Sequence, residues 1–158
     1  MRFSRMVNVV KCHVGGEVNN VVTGGIGDVP GATVFEKMKY FRDHDDELRQ
    51  LLLHEPRGAV THCVNYIVPG TDPEAQLGYV IAESTEYPAM SGSNTMCVAT
   101  ALLETGMVRM TEPVGPKNLR MHYSLISRSA LQHAAAAGCS RGKRSPWRNS
   151  FWRYVPGA

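Results

Sequence analysis

The chain has 158 residues, 43% of them hydrophobic and 20% charged, with a formal net charge of +3. That length fits one ordinary domain, and no stretch approaches the ~20 apolar residues that a bilayer-spanning helix needs. Met1-Arg2-Phe3-Ser4-Arg5 leads into no long apolar run, so no secretion signal is read. The four cysteines show no disulfide framework, which fits a reducing, cytoplasmic setting.

In chain order, residues 7–10 and 18–23 read as strands separated by a Gly15-Gly16 turn. Pro30-Gly31 breaks the chain. Thr33 with Glu36 three residues on is a capping box, and Val34, Phe35, Met38 and Phe41 recur at helical spacing. A second helix is expected from Asp45 or Asp46, whose charge suits an N-terminus. Leu48, Leu51 and Leu52 form its buried stripe, and it ends before Pro56. Residues 59–68 and 77–82 read as strands joined by the turn Pro69-Gly70-Thr71-Asp72-Pro73. Then Met90-Ser91-Gly92-Ser93-Asn94-Thr95 opens directly into the apolar run Met96-Cys97-Val98-Ala99-Thr100-Ala101-Leu102-Leu103, which Gly106 closes as a helix. The body is therefore α/β.

The 90–95 turn carries the most chemistry. The first N–H groups of a helix lack partners within it, and with the helix dipole they form a site for a carboxylate or phosphate. Ser91 places a hydroxyl beside that site. The plainer reading is a Ser/Asn cap on a core helix, and these residues alone leave both open. Cys12-His13 and His62-Cys63 offer four metal-ligand types, but neighbours in a strand face opposite ways and neither pair has zinc-site spacing. No metal is expected. Cys63 is read as a small apolar residue with His62 pointing elsewhere, and Cys97 as buried. His13 fits either a pocket rim or a structural role in its turn. Glu55 and Arg57, at a helix-to-strand junction, are expected to form an ion pair that fixes the bend. Gly24-Gly25-Ile26-Gly27 lacks the Lys-Ser/Thr ending of a phosphate loop.

From the N-terminus to about Val114 the chain resembles the proline racemase family. Cys12-His13-Val14-Gly15-Gly16-Glu17 is similar to the family's His-Thr-x-Gly-Glu segment, and Val21-Val22-Thr23-Gly24-Gly25 to the glycine pair after it. Glu55-Pro56-Arg57-Gly58 matches a family hallmark. Met90-Ser91-Gly92-Ser93-Asn94-Thr95 with Leu102-Leu103-Glu104-Thr105-Gly106 resembles the Met-Cys-Gly-His-Gly-Thr block and its trailing helix.

The resemblance implies one half of a diaminopimelate-epimerase-like fold, an α+β mixed sheet wrapped around a central apolar helix. It also implies cofactor-independent chemistry on a small imino acid, proline or hydroxyproline. Ser91 replaces the catalytic Cys of the family's racemases and Ser93 replaces their His. That form resembles the branch associated with trans-3-hydroxy-L-proline dehydratase. A two-base racemase needs an acid and a base with pKa values near their task; a thiol at ~8.5 serves as either, and a serine hydroxyl with no adjacent His is a poor base. The favoured expectation is dehydration to a pyrroline-2-carboxylate, with proline racemisation or 4-hydroxyproline 2-epimerisation as the alternative. Ser91 is the expected catalytic residue. The amides of Gly92 and Ser93 would hold the substrate carboxylate, and Asn94 would shape the turn. The ring amine would bind a carboxylate of the family's second half, which the sequence does not match, so little or no turnover is expected of the isolated chain. Such a half is expected to expose apolar surface, and two copies pairing as a homodimer is a possibility the sequence leaves open.

The charge is split. All 14 acidic residues lie between Glu17 and Glu112, so residues 1–114, with nine basic residues, carry −5. Residues 115–158 hold eight basic and no acidic residues, +8, and both tryptophans, Trp147 and Trp152. Three readings compete for this tail. It is a nucleic-acid arm with Trp147, Phe151, Trp152 and Tyr154 as stacking groups, an amphipathic surface segment, or an out-of-frame, disordered continuation. The last is favoured, nucleic-acid binding is not expected, and an inactive half-domain with a basic binding tail is the second functional alternative. Cys139 is taken as incidental, and residues 118–137 as at most a weak helix.

Overall fold

The computed structural model describes residues 5–73 and 75–109, together with the backbone of residues 121–122. A hairpin opens the fold. Strands β1 (Asn8–Val14) and β2 (Glu17–Gly24) pair antiparallel with Val14 opposite Glu17. The two-residue turn puts Gly15 at φ 59° and Gly16 at φ 95°. Positive φ at both central positions is what a tight hairpin turn demands, and glycine adopts it without a Cβ clash. Helices α1 (Val34–His44) and α2 (Glu47–Leu53) then carry the chain over to β3 (His62–Pro69), which runs parallel to β2. Strand β4 (Leu77–Ala82) returns antiparallel to β3, α3 (Gly92–Glu104) follows, and β5 (Met121–His122) pairs parallel with Leu77 and Gly78. The sheet order is β1-β2-β3-β4-β5.

Side-chain alternation divides this mixed sheet into two buried faces. On one, Val22, Val64, Tyr66, Val68, Val80 and Ala82 pack with Val34, Met38 and Phe41 of α1 and Leu48 and Leu53 of α2. Phe41 stacks on Tyr66 with ring centroids 4.4 Å apart. On the other, Val21, Ile67, Tyr79 and Ile81 meet Cys97, Val98, Ala101 and Leu102 of α3. Burial on both faces explains why β3 reads as a continuous apolar run rather than an alternating one. Thus α3 covers one face of the described strands, with α1 and α2 on the other.

The capping box at Thr33 forms as expected, with Glu36 N–H donating to Thr33 Oγ1 at 3.1 Å and Thr33 N–H to Glu36 Oε2 at 3.3 Å. Gly106 closes α3 at φ 73°, its N–H donating to the Leu103 carbonyl at 3.2 Å. Other expectations change. Phe35 and Leu51 are exposed, each at 43%, because the buried stripes run through Val34, Met38 and Phe41 in α1 and through Leu48 and Leu53 in α2. Phe35 instead lies under the Lys39 ammonium, 4.7 Å from its ring centroid. Strand β3 starts at His62 rather than residue 59, since the preceding residues form turns closed by Gly58 N–H to the His54 carbonyl and His62 N–H to that of Ala59, both 2.9 Å. Glu55 and Arg57 are not among the ion pairs of the described residues, and both are exposed. The bend is made by backbone instead: a Cβ on Gly58 would collide with the main chain of Leu52 and Leu53.

Within the expected weak helix at 118–137, Met121–His122 form a strand instead. The remainder of that segment, Cys139 and the aromatic residues of the tail lie outside the described residues.

Candidate active site

Ser91 stands where the extended chain (φ −150°, ψ 134°) turns into α3, and it is the helix N-cap. Its Oγ accepts from Asn94 N–H at 3.5 Å and from Asn94 Nδ2 at 2.9 Å. The cap reading is met, and Ser91 also lines a cleft. The helix start is pinned from below. Thr95 Oγ1 donates to the Ser91 carbonyl at 2.7 Å and meets the hydroxyl of Tyr79, from β4, at 2.6 Å.

Two hydroxyls and a carboxylate follow one another at this tip. Ser91 Oγ lies 3.0 Å from Ser93 Oγ, and Ser93 Oγ donates to Glu17 Oε1 at 2.9 Å. The Cys63 thiol donates to the same oxygen at 3.3 Å. These residues meet for a reason of register. Glu17 and Asn19 share the α3-facing side of β2 with Val21, as Cys63 and Asn65 share that of β3 with Ile67. Asn19 is paired with Cys63 in the parallel ladder, and Asn65 Nδ2 donates to Asn19 Oδ1 at 3.0 Å. The face under α3 is thus polar near the helix tip and apolar under its body.

Glu17, Val60, Thr61, His62, Cys63, Glu83 and Ser91 line a cleft of about 270 Å³. This lies below the ~300–1,000 Å³ of sites for drug-sized ligands, a size suited to a small solute. Burial and the neighbouring Glu17 carboxylate push the Cys63 thiol up to about 12, so it stays protonated. Burial, Glu86 and Glu17 raise Glu83 above the ordinary carboxylate value. Burial and the charge of Lys11 lower His62, favouring the neutral imidazole.

All four expected site residues gather at the helix tip. Gly92 is exposed and a Cβ there would meet nothing within 4 Å. Asn94 is fully buried. Cys97 is buried as expected, but Cys63 is more than apolar filling, since its thiol is bonded to Glu17, and His62 lines the cleft beside it. The reading of the residues gave no role to Glu17 or Glu83, because 74 and eight residues of chain separate them from Ser91. Glu17 stands immediately after the paired glycines Gly15-Gly16.

A larger cleft of about 420 Å³ lies beside α1 and α2, lined by Arg42, Asp46, Arg49 and Tyr87 among others. Its polar groups are engaged with one another: Asp46 accepts from Arg49, Gln50 and Tyr87. No group of three or more metal-ligand side chains assembles among the described residues.

Residues 9–137 match the proline racemase family. The chain belongs to that family. The match extends past Val114. A protein of Chromohalobacter salexigens is 52% identical over 106 residues, which cover 67% of this chain and 29% of that protein. One of Marinobacter nauticus is 45% identical over 127 residues, covering 80% of this chain and 36% of that protein. Among solved structures, a hydroxyproline epimerase from Agrobacterium vitis with bound trans-4-hydroxy-L-proline superposes with a TM-score of 0.66 at 41% identity, over 72% of this chain and 34% of that one. A probable proline racemase from Agrobacterium radiobacter K84 with bound carbonate superposes with a TM-score of 0.64 at 40% identity, over 68% and 32%. The chain spans about a third of the length of these relatives. The mixed α/β fold of this family is therefore shared, and among the described residues no helix is long and apolar enough to cross a membrane.

Proposed function

We propose that this chain provides one face of a cofactor-independent active site that moves the α-proton of a proline-type imino acid, with 2-epimerisation of 4-hydroxyproline the favoured reaction. The observation that carries it is Ser91 lining the cleft, its hydroxyl linked through Ser93 to Glu17. From residues alone, a serine without a neighbouring histidine argued against racemisation and for dehydration. A carboxylate two hydrogen bonds away removes that objection. The likeness to a hydroxyproline epimerase holding trans-4-hydroxy-L-proline supports the same direction. Dehydration of trans-3-hydroxy-L-proline stays as the second reading, because Ser91 stands where family racemases carry a thiol.

In this reading the substrate carboxylate rests on the Gly92 and Ser93 amides, where preorganised donors stabilise charge spreading from the α-carbon as its proton leaves. Ser91 faces the α-carbon, and Asn94 holds Ser91. The opposite wall comes from a second half like this one or from a second copy, completing a diaminopimelate-epimerase-like pair.

The test is deuterium exchange at C2 of trans-4-hydroxy-L-proline, followed by proton NMR in D2O with the full chain. With one face served, exchange is expected to be slow and to outpace inversion, and Ser91→Ala should abolish it. A C2 epimer supports epimerisation; a pyrroline from trans-3-hydroxy-L-proline supports dehydration. Wild-type exchange no faster than buffer, or an unaffected Ser91→Ala chain, would overturn the reading.

A further inference from the structure

We infer that Glu17 is the terminal proton acceptor for Ser91, reached through the Ser93 hydroxyl, and thus a positioning residue for α-proton transfer; the inference rests on the imino-acid reading above.

The direction of each hydrogen bond follows by elimination. Ser93 Oγ donates to Glu17 Oε1, 2.9 Å away, and a hydroxyl has one proton to give. Toward Ser91, Ser93 then has only a lone pair to offer, and the 3.0 Å contact must be Ser91 donating. Ser91 Oγ is left accepting from Asn94, chiefly from Nδ2 at 2.9 Å. Both hydroxyl protons therefore point toward Glu17, while the Asn94 amide is aimed at the oxygen that would lose one. That arrangement stabilises negative charge on Ser91 Oγ and drains its proton in one direction.

The step balances without a co-reactant. The substrate Cα–H bond breaks and its proton forms a bond to Ser91 Oγ. The Ser91 proton passes to Ser93 Oγ, and the Ser93 proton to Glu17 Oε1. The electron pair stays on the substrate, spread into its carboxylate. Reversal returns a proton to the α-carbon, and exchange of the Glu17 acid with solvent supplies deuterium.

Other titratable groups face Glu17. Cys63, from β3, donates to the same oxygen and remains a thiol, so it is not the base. Glu83, beyond β4, raises the local negative charge, and Cys97 faces Glu17 from α3. His62 lines the same cleft and is the competing base.

The test is the dependence of C2 exchange on pD, measured from pD 4 to 10 with trans-4-hydroxy-L-proline and the full chain. General bases contribute typically ~10²–10⁴-fold. Wild type should show a rate that rises with pD along a limb and then levels off. Glu17→Gln should lose that limb and at least about tenfold in rate at neutral pD. Ser93→Ala, which keeps the carboxylate but cuts the path, should lose the limb too. Glu17→Asp should keep it at reduced rate. Amide NMR spectra of each variant report that the fold is intact. A rate drop with an unchanged limb would mean a structural role and overturn the inference, as would a limb that vanishes only in His62→Gln. If wild type fails to exchange, or Ser91→Ala exchanges normally, the imino-acid reading itself falls and takes this inference with it.

Discussion

Protonating Asp46 should loosen the segment that delivers Ser91 to its cleft. Asp46 accepts from Arg49 Nε at 2.6 Å and Nη2 at 2.7 Å, from Gln50 Nε2 at 3.0 Å and from the Tyr87 hydroxyl at 2.8 Å. Arg49 also donates to the carbonyls of Glu83 and Ser84. Together these bonds tie α2 to residues 83–87, just ahead of the 90–95 turn. The Arg49 guanidinium beside it, then Gln50 and Tyr87, hold the Asp46 carboxyl down from the ordinary 3.8 to about 2. A folded-state value below the unfolded one means that the unfolded chain binds more protons in this interval. Stability therefore rises with pH, is complete above about 4, and is lost as pH falls through 2. The interval corresponds to about 2 kcal/mol, an upper figure because the side chain of Asp46 is 26% exposed and solvent screens part of it. Urea denaturation of wild type and Asp46→Asn at pH 7 and pH 3 is the assay. The variant should be less stable at pH 7 by up to about 2 kcal/mol, and the gap should shrink by about half at pH 3. An equal gap at both pH values would refute the electrostatic argument and leave only lost packing.

Two further outcomes follow from the same structure. Gly58→Ala should destabilise by about 1–3 kcal/mol, because the added Cβ runs into the Leu52 and Leu53 main chain; a thermal unfolding midpoint equal to wild type would contradict this. Cys63, held near 12, should resist iodoacetamide at pH 7.5 in the folded chain and react in urea, as read by peptide mass spectrometry; rapid native labelling would show a thiolate in the cleft.

The family was legible because its blocks are local: Glu55-Pro56-Arg57-Gly58 and the 90–95 turn are contiguous runs of chain. Local chemistry likewise announced the Thr33–Glu36 box, the Gly15-Gly16 hairpin and the strand at 77–82. Exposure was less legible. Phe35 and Leu51 match helical spacing as well as Met38 and Leu48 do, and only the position of the sheet decides which side of each helix is covered. The same holds for Cys63, whose one-residue identity says small and apolar until a carboxylate is found 3.3 Å away.

The residues alone determined the α/β order of elements, the family and a serine at a helix tip, because hydrophobic period, caps and paired glycines act over a few positions of chain. Tertiary structure decided what that serine can reach. Pairing β2 in parallel with β3, and laying α3 across their shared face, brings Glu17 to within one hydroxyl of a residue 74 positions away. A linear pattern carries no distance between such points, and only the packed sheet supplies it.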